Sequence, residues 1–377
     1  MPKRILLLSA YDAVSHRLWR ERLQALFPEY DWQQLSLPPR HFTWRIRGNS
    51  LQWALQQKTV LRQHYDLIIA TSMVDLASLR GLIPQLGSIP TVVYFHENQF
   101  FYPPGQQPST NIEPQLVPVY AALCADQVVF NSNFNRDTFL KGASSLFNKL
   151  PDDLGGAVDL ALQSSCVIPV PLDDEEFETV AESEADSHET SLLQVVWNHR
   201  WEYDKGPELL LAVAEALLDE ALPVCLHVVG QQFRQCPDTF IRLDTVLVKI
   251  AQQQHGVRGA FGFITQRQQY LQILAYCDAT LSTAAHDFQG LALQEAIALG
   301  CTPLAPATLA YPEYLDAEFL YEVESDITAT AEQISKRLRH YCQLKESHKT
   351  LPQADVSHYK GSVLRASYAA LFERMMA

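Results

Sequence analysis

Short apolar runs alternate with stretches of helical periodicity through the first half of the chain. Residues 5–10, 31–37, 66–70, 91–95, 126–130 and 165–169 have the length and composition of buried strands, and the segments between them repeat apolar positions at helical spacing. The pattern pauses after residue 172: positions 173–189 hold nine acids and no Lys or Arg, which reads as a solvated linker over residues 173–190. It then restarts, with strands expected at 193–197, 224–229, 258–263, 279–282 and 302–304. The alternation predicts an α/β protein of two Rossmann-like doubly wound domains, residues 1–172 and 191–354. A last helix over residues 355–377 is expected to cross back to the first domain. Ligands of such sheets bind beyond the carboxyl ends of the strands, so the residues leaving each strand carry the candidate chemistry.

Composition narrows the setting. No apolar run of the 377 residues approaches the roughly 18 needed to span a membrane, so no membrane partner is expected. The opening ten residues have the charge order of a signal peptide but too short an apolar part, and read as a first strand. The seven cysteines lie scattered without a Cys-x-x-Cys pair or zinc-type spacing, which points to a reduced compartment and a cytoplasmic protein. The net charge of -14 argues against indiscriminate nucleic-acid binding. Residues 1–64 nevertheless hold ten Lys/Arg against four Asp/Glu, leaving a basic N-terminal stretch on an acidic chain.

Three polar groups follow strands of the first half, at residues 11–16, 96–99 and 131–133. No Gly-x-Gly-x-x-Gly follows the first strand, which removes the phosphate loop of a dinucleotide oxidoreductase. Ser132 and Asn133 read as helix caps. His96 leaves a buried strand into Glu97, Asn98 and an aromatic, proline-rich loop at residues 100–105 that looks like a lid. Between strands two and three, Arg40, His41, Trp44, Arg45 and Arg47 interleave cations with rings on an expected loop. Such a loop clamps phosphates and stacks on splayed RNA bases, or else packs its Trp on the core beside a helix. In the second half Arg200 and Lys205 leave a strand where they can meet a diphosphate, and Gly230 would let backbone approach a nucleotide. The stretch 286–300 places Asp287 on a loop and Glu295 about a turn and a half into a helix. The N–H groups of Phe288, Gln289, Gly290 and Leu291 lie between them as an anion site, the arrangement a sugar-nucleotide needs.

A carboxylate, Phe288-x-Gly290, and Glu295 eight residues after Asp287 resemble the Glu-x7-Glu motif of family-4 glycosyltransferases of GT-B architecture, two such domains facing across a cleft. With Ser15-His16-Arg17, the run from Leu37 to Asn49, Tyr94 to Gln99 with Tyr102-Pro103, Val129 to Asn135, and Asn198 to Gly206, the chain resembles the queuosine-tRNA mannosyltransferase family. It departs from that pattern at Asp287, where the motif has Glu, and at Ala13-Val14, where glycines are expected.

The resemblance implies retaining transfer of mannose from GDP-mannose to queuosine in the anticodon loop of tRNA-Asp. The first domain would then bind the acceptor and the second the nucleotide-sugar. It assigns Arg200 and Lys205 to the diphosphate, Glu295 to the ribose, Asp287 and His96 to the sugar, and backbone N–H groups around Gly290 to the phosphates. The tRNA side comprises Ser15, His16, Arg40, His41, Trp44, Arg45, Arg47, Glu97 and Asn98. No cofactor is expected beyond the donor, and no metal, since the sequence has no Asp-x-Asp. Two alternatives stay open: a family-4-like enzyme with another sugar acceptor, and a sugar-nucleotide or tRNA binder without turnover.

Overall fold

A computed structural model describes residues 2–101, 111–152, 154–183, 190–232, 236–254 and 256–377. The proline-rich part of the expected lid, Tyr102 to Gly105, lies outside them. The chain divides into two compact units, Met1–Leu172 with Tyr359–Ala377, and Asp173–His358.

The first unit is built on β1 (Arg4–Ser9), β2 (Asp31–Ser36), β3 (Leu67–Thr71), β4 (Thr91–Phe95), β5 (Gln127–Phe130) and β6 (Cys166–Val167), in the order β2-β1-β3-β4-β5-β6 and parallel throughout. β3 and β4 are buried at every position, as strands covered by helices on both faces must be. The segment Tyr359–Ala377 completes this unit. Its helix Gly361–Met375 puts Tyr368 against Trp19, whose Nε1 donates to the Tyr368 hydroxyl at 3.1 Å, and that hydroxyl donates to the Pro169 carbonyl at 3.0 Å.

The second unit carries β7 (Leu193–Trp197), β8 (Val224–Val229), β9 (Phe261–Gly262), β10 (Ala279–Leu281), β11 (Thr302–Pro306) and β12 (Leu320–Tyr321), in the order β12-β11-β10-β7-β8-β9, again parallel. The order reverses at β7. From β7 the chain winds outward through β8 and β9, then returns to place β10 on the other side. The loops leaving β7 and β10 therefore diverge at the topological switch point, where open α/β sheets bind ligands.

Two expectations are corrected. The acidic linker is a helix over Asp174–Ser183 for most of its length. The Asp173 carboxylate accepts the Glu176 N–H at 3.1 Å as an N-cap does, and Phe177 and Val180, three apart, are buried. The basic, aromatic stretch expected as a loop is a helix from Phe42 to Gln56. Buried Asn49 holds it there, donating to the Arg45, Ile46 and Met73 carbonyls and accepting the Asp75 N–H at 3.1 Å.

A pH dependence arises in the second unit. His227 on β8 accepts the Ala260 N–H at Nδ1 (3.1 Å), and its Nε2 lies 2.9 Å from Gln194 Oε1, so the neutral Nε2–H tautomer satisfies both bonds. Burial pulls its pKa from 6.5 down to about 4. The folded value lies below the unfolded one, so the stability held by the neutral ring is complete above pH 6.5 and lost as pH falls toward 4. Thermal melts should show the melting temperature dropping through that window, with a shallower drop in His227→Gln.

Candidate active site

The candidate residues form two groups, one in each unit. In the first unit His96 leaves β4 and is 7% exposed. Its ring stacks on His16 (centroids 4.1 Å, 23°) and takes the edge of Trp19 at 4.7 Å. Its Nε2 has no hydrogen-bond partner. Burial, then the neighbouring His16, hold His96 well below the usual histidine pKa, so it is a neutral imidazole with an unspent nitrogen. Tyr94 and Trp19, both braced by Tyr368, fix its orientation.

Residues expected on the acceptor side fare differently. Ser15, Arg40, His41 and Trp44 are exposed. The Trp44 indole lies over Gly48, where an added Cβ would come within 2.3 Å of the ring, so glycine inside this helix makes room for the aromatic. Arg45, expected at RNA, is buried and donates to Gln52 at 2.9 Å. Arg47 pairs with Asp75 at 3.1 Å and with Glu113. Asn98 is buried in its own loop, donating to Asn135 and Thr138 and accepting the Phe100 and Phe101 N–H groups. Glu97 is half-buried beside it. Helix geometry sends alternate cations inward, which a loop reading does not anticipate.

In the second unit the loops leaving β7 and β10 bring Arg200, Lys205, Asp287 and Gly290 to one end of the sheet. Lys205 is buried, and its Nζ donates to the His286 carbonyl with Asp204 at 3.5 Å and Asp287 at 3.7 Å. Arg200 pairs with Glu202 at 2.6 Å and lies 3.6 Å from Asp204. Asp204 is 1% exposed. Burial works to raise its pKa, but His286, Lys205 and Arg200 outweigh it and hold the carboxylate ionised. Asp287 is governed alike: burial opposes its charge, while Lys205, His199 and the Gly290 N–H favour it.

Asp287 does more than sit on a loop. Its Oδ1 accepts the Gly290 N–H at 3.0 Å and its Oδ2 accepts the Tyr311 hydroxyl at 3.2 Å, so one of the N–H groups expected to face a phosphate is taken by the carboxylate itself. Gly290 has φ +77, and a Cβ there would meet Tyr314 Oη at 2.5 Å. The helix Leu291–Ala298 starts directly after Gly290, so the positive end of its dipole lies at this loop. Phe288 is buried against His286, and Gln289 donates to Gln294 at 2.9 Å, so the two side chains build the loop.

Gly230 is partly exposed, and its hydrogen side faces the β7 exit. A Cβ there would fall 1.7 Å from the His199 carbonyl oxygen, so the glycine lets β8 pass close under the β7 exit. Glu295 is buried with both oxygens held by Arg267 at 2.7 and 2.9 Å. Asn198 donates to the Ala292 carbonyl at 2.7 Å and to the Tyr270 hydroxyl at 3.0 Å.

Sequence reasoning missed His199, Asp204, Tyr311 and Arg267. His199 is buried, with Nε2 unpartnered, and burial followed by Lys205 takes its pKa to about 4. The available signal was adjacency: Asn198 and His199 precede Arg200, and Asp204 precedes Lys205. Arg267 and Tyr311 carried none.

Residues 4–172 match the family model described as tRNA-queuosine alpha-mannosyltransferase N-terminal. A Drosophila melanogaster protein named tRNA-queuosine alpha-mannosyltransferase is 28% identical over 385 residues, covering 99% of this chain and 97% of that protein. Among solved structures, Anabaena HepE in complex with UDP aligns with a TM-score of 0.63 at 15% identity, covering 99% of this chain and all of that one. A UDP-forming trehalose-phosphate synthase from Burkholderia xenovorans aligns with a TM-score of 0.67 at 13% identity over the full length of both. At these identities the two structures speak to the fold alone, which is the GT-B architecture.

Proposed function

We propose, from the family match over residues 4–172 and a relative 28% identical along 97% of its length, that the chain is a tRNA-queuosine mannosyltransferase, which transfers mannose from GDP-mannose to queuosine in the anticodon loop of tRNA-Asp with retention of configuration. The observation that carries the donor half is the buried Lys205 beside the N-terminal turn of the helix Leu291–Ala298, at the switch point of the second sheet. A nucleoside diphosphate leaving group gathers charge on its outer phosphate as the bond to the sugar lengthens. A fixed ammonium and oriented N–H groups in a water-poor site stabilise that charge.

In this reading Lys205 and Arg200 take the diphosphate and Glu295 the ribose hydroxyls. Asp287 acts on the sugar and also fixes the loop, through Gly290 and Tyr311. His96, neutral at physiological pH, is suited to exchange a hydrogen bond with a sugar hydroxyl. As the sugar–phosphate C–O bond breaks, a new C–O bond forms to a hydroxyl of the queuosine cyclopentenediol. The hydroxyl proton passes to the departing phosphate, so no protein base is required. Exposed Trp44, Arg40 and His41 offer a ring and cations to an RNA loop, in place of the inward-facing Arg45.

The test is incubation of the protein with GDP-mannose and tRNA with or without queuosine, reading the mass of the digested nucleosides. A hexose-sized gain on queuosine alone is expected. No gain, with GDP-mannose still bound, would reject the acceptor and keep the donor.

A further inference from the structure

Glu295 is a buried carboxylate, and one guanidinium grips both of its oxygens. Arg267, at the start of the helix Arg267–Tyr276, donates Nη2 to Glu295 Oε1 at 2.7 Å and Nη1 to Oε2 at 2.9 Å. Its other edge donates Nε and Nη2 to the two oxygens of Glu176, each at 2.9 Å. One planar guanidinium thus bridges two carboxylates through paired bonds on both sides, a geometry an ammonium cannot reproduce. It also lies 5.3 Å from the Tyr270 ring centroid, and the Tyr270 hydroxyl accepts from Asn198, which itself donates to Ala292 on the Glu295 helix. Arg267 and Asn198 therefore tether that helix by separate routes.

We propose that Arg267 is a positioning residue of the nucleotide site, holding Glu295 in the one orientation that accepts both ribose hydroxyls, with Glu176 as its anchor. The inference rests on the ribose reading of Glu295. A carboxylate oxygen has two lone pairs and Arg267 takes one on each, so its grip does not by itself exclude a cis-diol. With its torsions locked beforehand, the carboxylate loses little freedom when ribose arrives. Without Arg267 the buried carboxylate would lack its counter-charge and tend to take up a proton, turning an acceptor into a partial donor.

A structural ion pair and a positioning pair differ in what they do to ribose discrimination. Calorimetric titration of the full chain with GDP and with 2′,3′-dideoxy-GDP measures it. The unsubstituted protein should bind GDP about tenfold or more tighter than the dideoxy nucleotide, the worth of hydrogen bonds to a charged acceptor. Arg267→Met should lose most of its GDP affinity and little of its dideoxy affinity, so that the ratio falls to about one. Arg267→Lys should restore part of it, and Glu176→Gln should reduce the ratio about threefold; these two variants keep the test open should Arg267→Met fail to fold. A folded Arg267→Met with the ratio intact overturns the role of Arg267 and leaves Glu295 at the ribose. An unsubstituted protein that binds GDP without discriminating overturns the ribose reading, and this inference with it. One that binds no GDP overturns the donor site as a whole.

Discussion

Replacing Lys205 with Met should lower kcat for hexose transfer by about 10²–10³-fold, the usual cost of removing one group aimed at developing charge in a transition state. The ammonium is buried, donates to the His286 carbonyl and stands within 4 Å of both Asp204 and Asp287. In the proposed reaction its loss removes the cation at the leaving group, and it leaves buried Asp204 and half-buried Asp287 short of a partner. Breaking a buried ion pair from one side costs about 3–5 kcal/mol. Asp287 keeps the Gly290 N–H and the Tyr311 hydroxyl, whereas Asp204 keeps only Arg200 and His286 nearby, so the penalty falls mainly on Asp204. Lys205→Met combined with Asp204→Asn should therefore regain stability without regaining turnover. Turnover measured beside thermal melts separates the two effects, and a Lys205→Met protein with unchanged kcat would remove Lys205 from the chemistry.

The second large effect is expected from Gly230→Ala. The added carbon would fall 1.7 Å from the His199 carbonyl oxygen, and because that neighbour is backbone, the β7 exit itself has to move. Overpacking of this kind costs about 1–3 kcal/mol. The displaced segment carries His199 and Arg200, so transfer should fall by at least about 10²-fold even where the protein stays folded, since small misplacements of binding groups cost that much. Circular dichroism and turnover on the same sample test this. A folded, fully active Gly230→Ala would mean that the β7 exit has slack which the close approach hides.

The parts legible in sequence share a physical reason. β4, β7 and β8 run over the residues expected because each is buried at every position and apolar at all but one or two of them, a signal contained within the segment. β9 is two residues long and lies inside the strand expected at 258–263, whereas β12, equally short at the opposite sheet edge, was not expected. The helix Phe42–Gln56, expected as a loop from its interleaved cations and rings, carries the poor helix formers Gly48 and Asn49 in its interior. The Asn49 side chain, bonded to Met73 and Asp75 on the chain after β3, overrides that local preference.

At the site, Lys205 and Asp287 were visible from the strand that precedes each, and Glu295 from its helical spacing. Their partners were not. Tyr311 reaches Asp287 from 24 residues away and Arg267 reaches Glu295 from 28, and neither separation leaves a mark on local composition. The acidic run misled for a related reason: Glu176 looks like one solvated charge among nine until Arg267 is beside it.

The return of residues 359–377 to the first sheet bears on the order in which this protein is made. Residues 173–358 are contiguous, so that unit can fold as soon as it clears the ribosome. The first unit, though synthesised earlier, has to wait. Until Tyr368 arrives, Trp19 and Tyr94 lack the hydroxyl that braces them beside His96, and Phe27 lacks Phe372. The unit that begins first therefore closes only after the second has been synthesised, and through that interval Trp19, Tyr94 and Phe27 go without their aromatic cover.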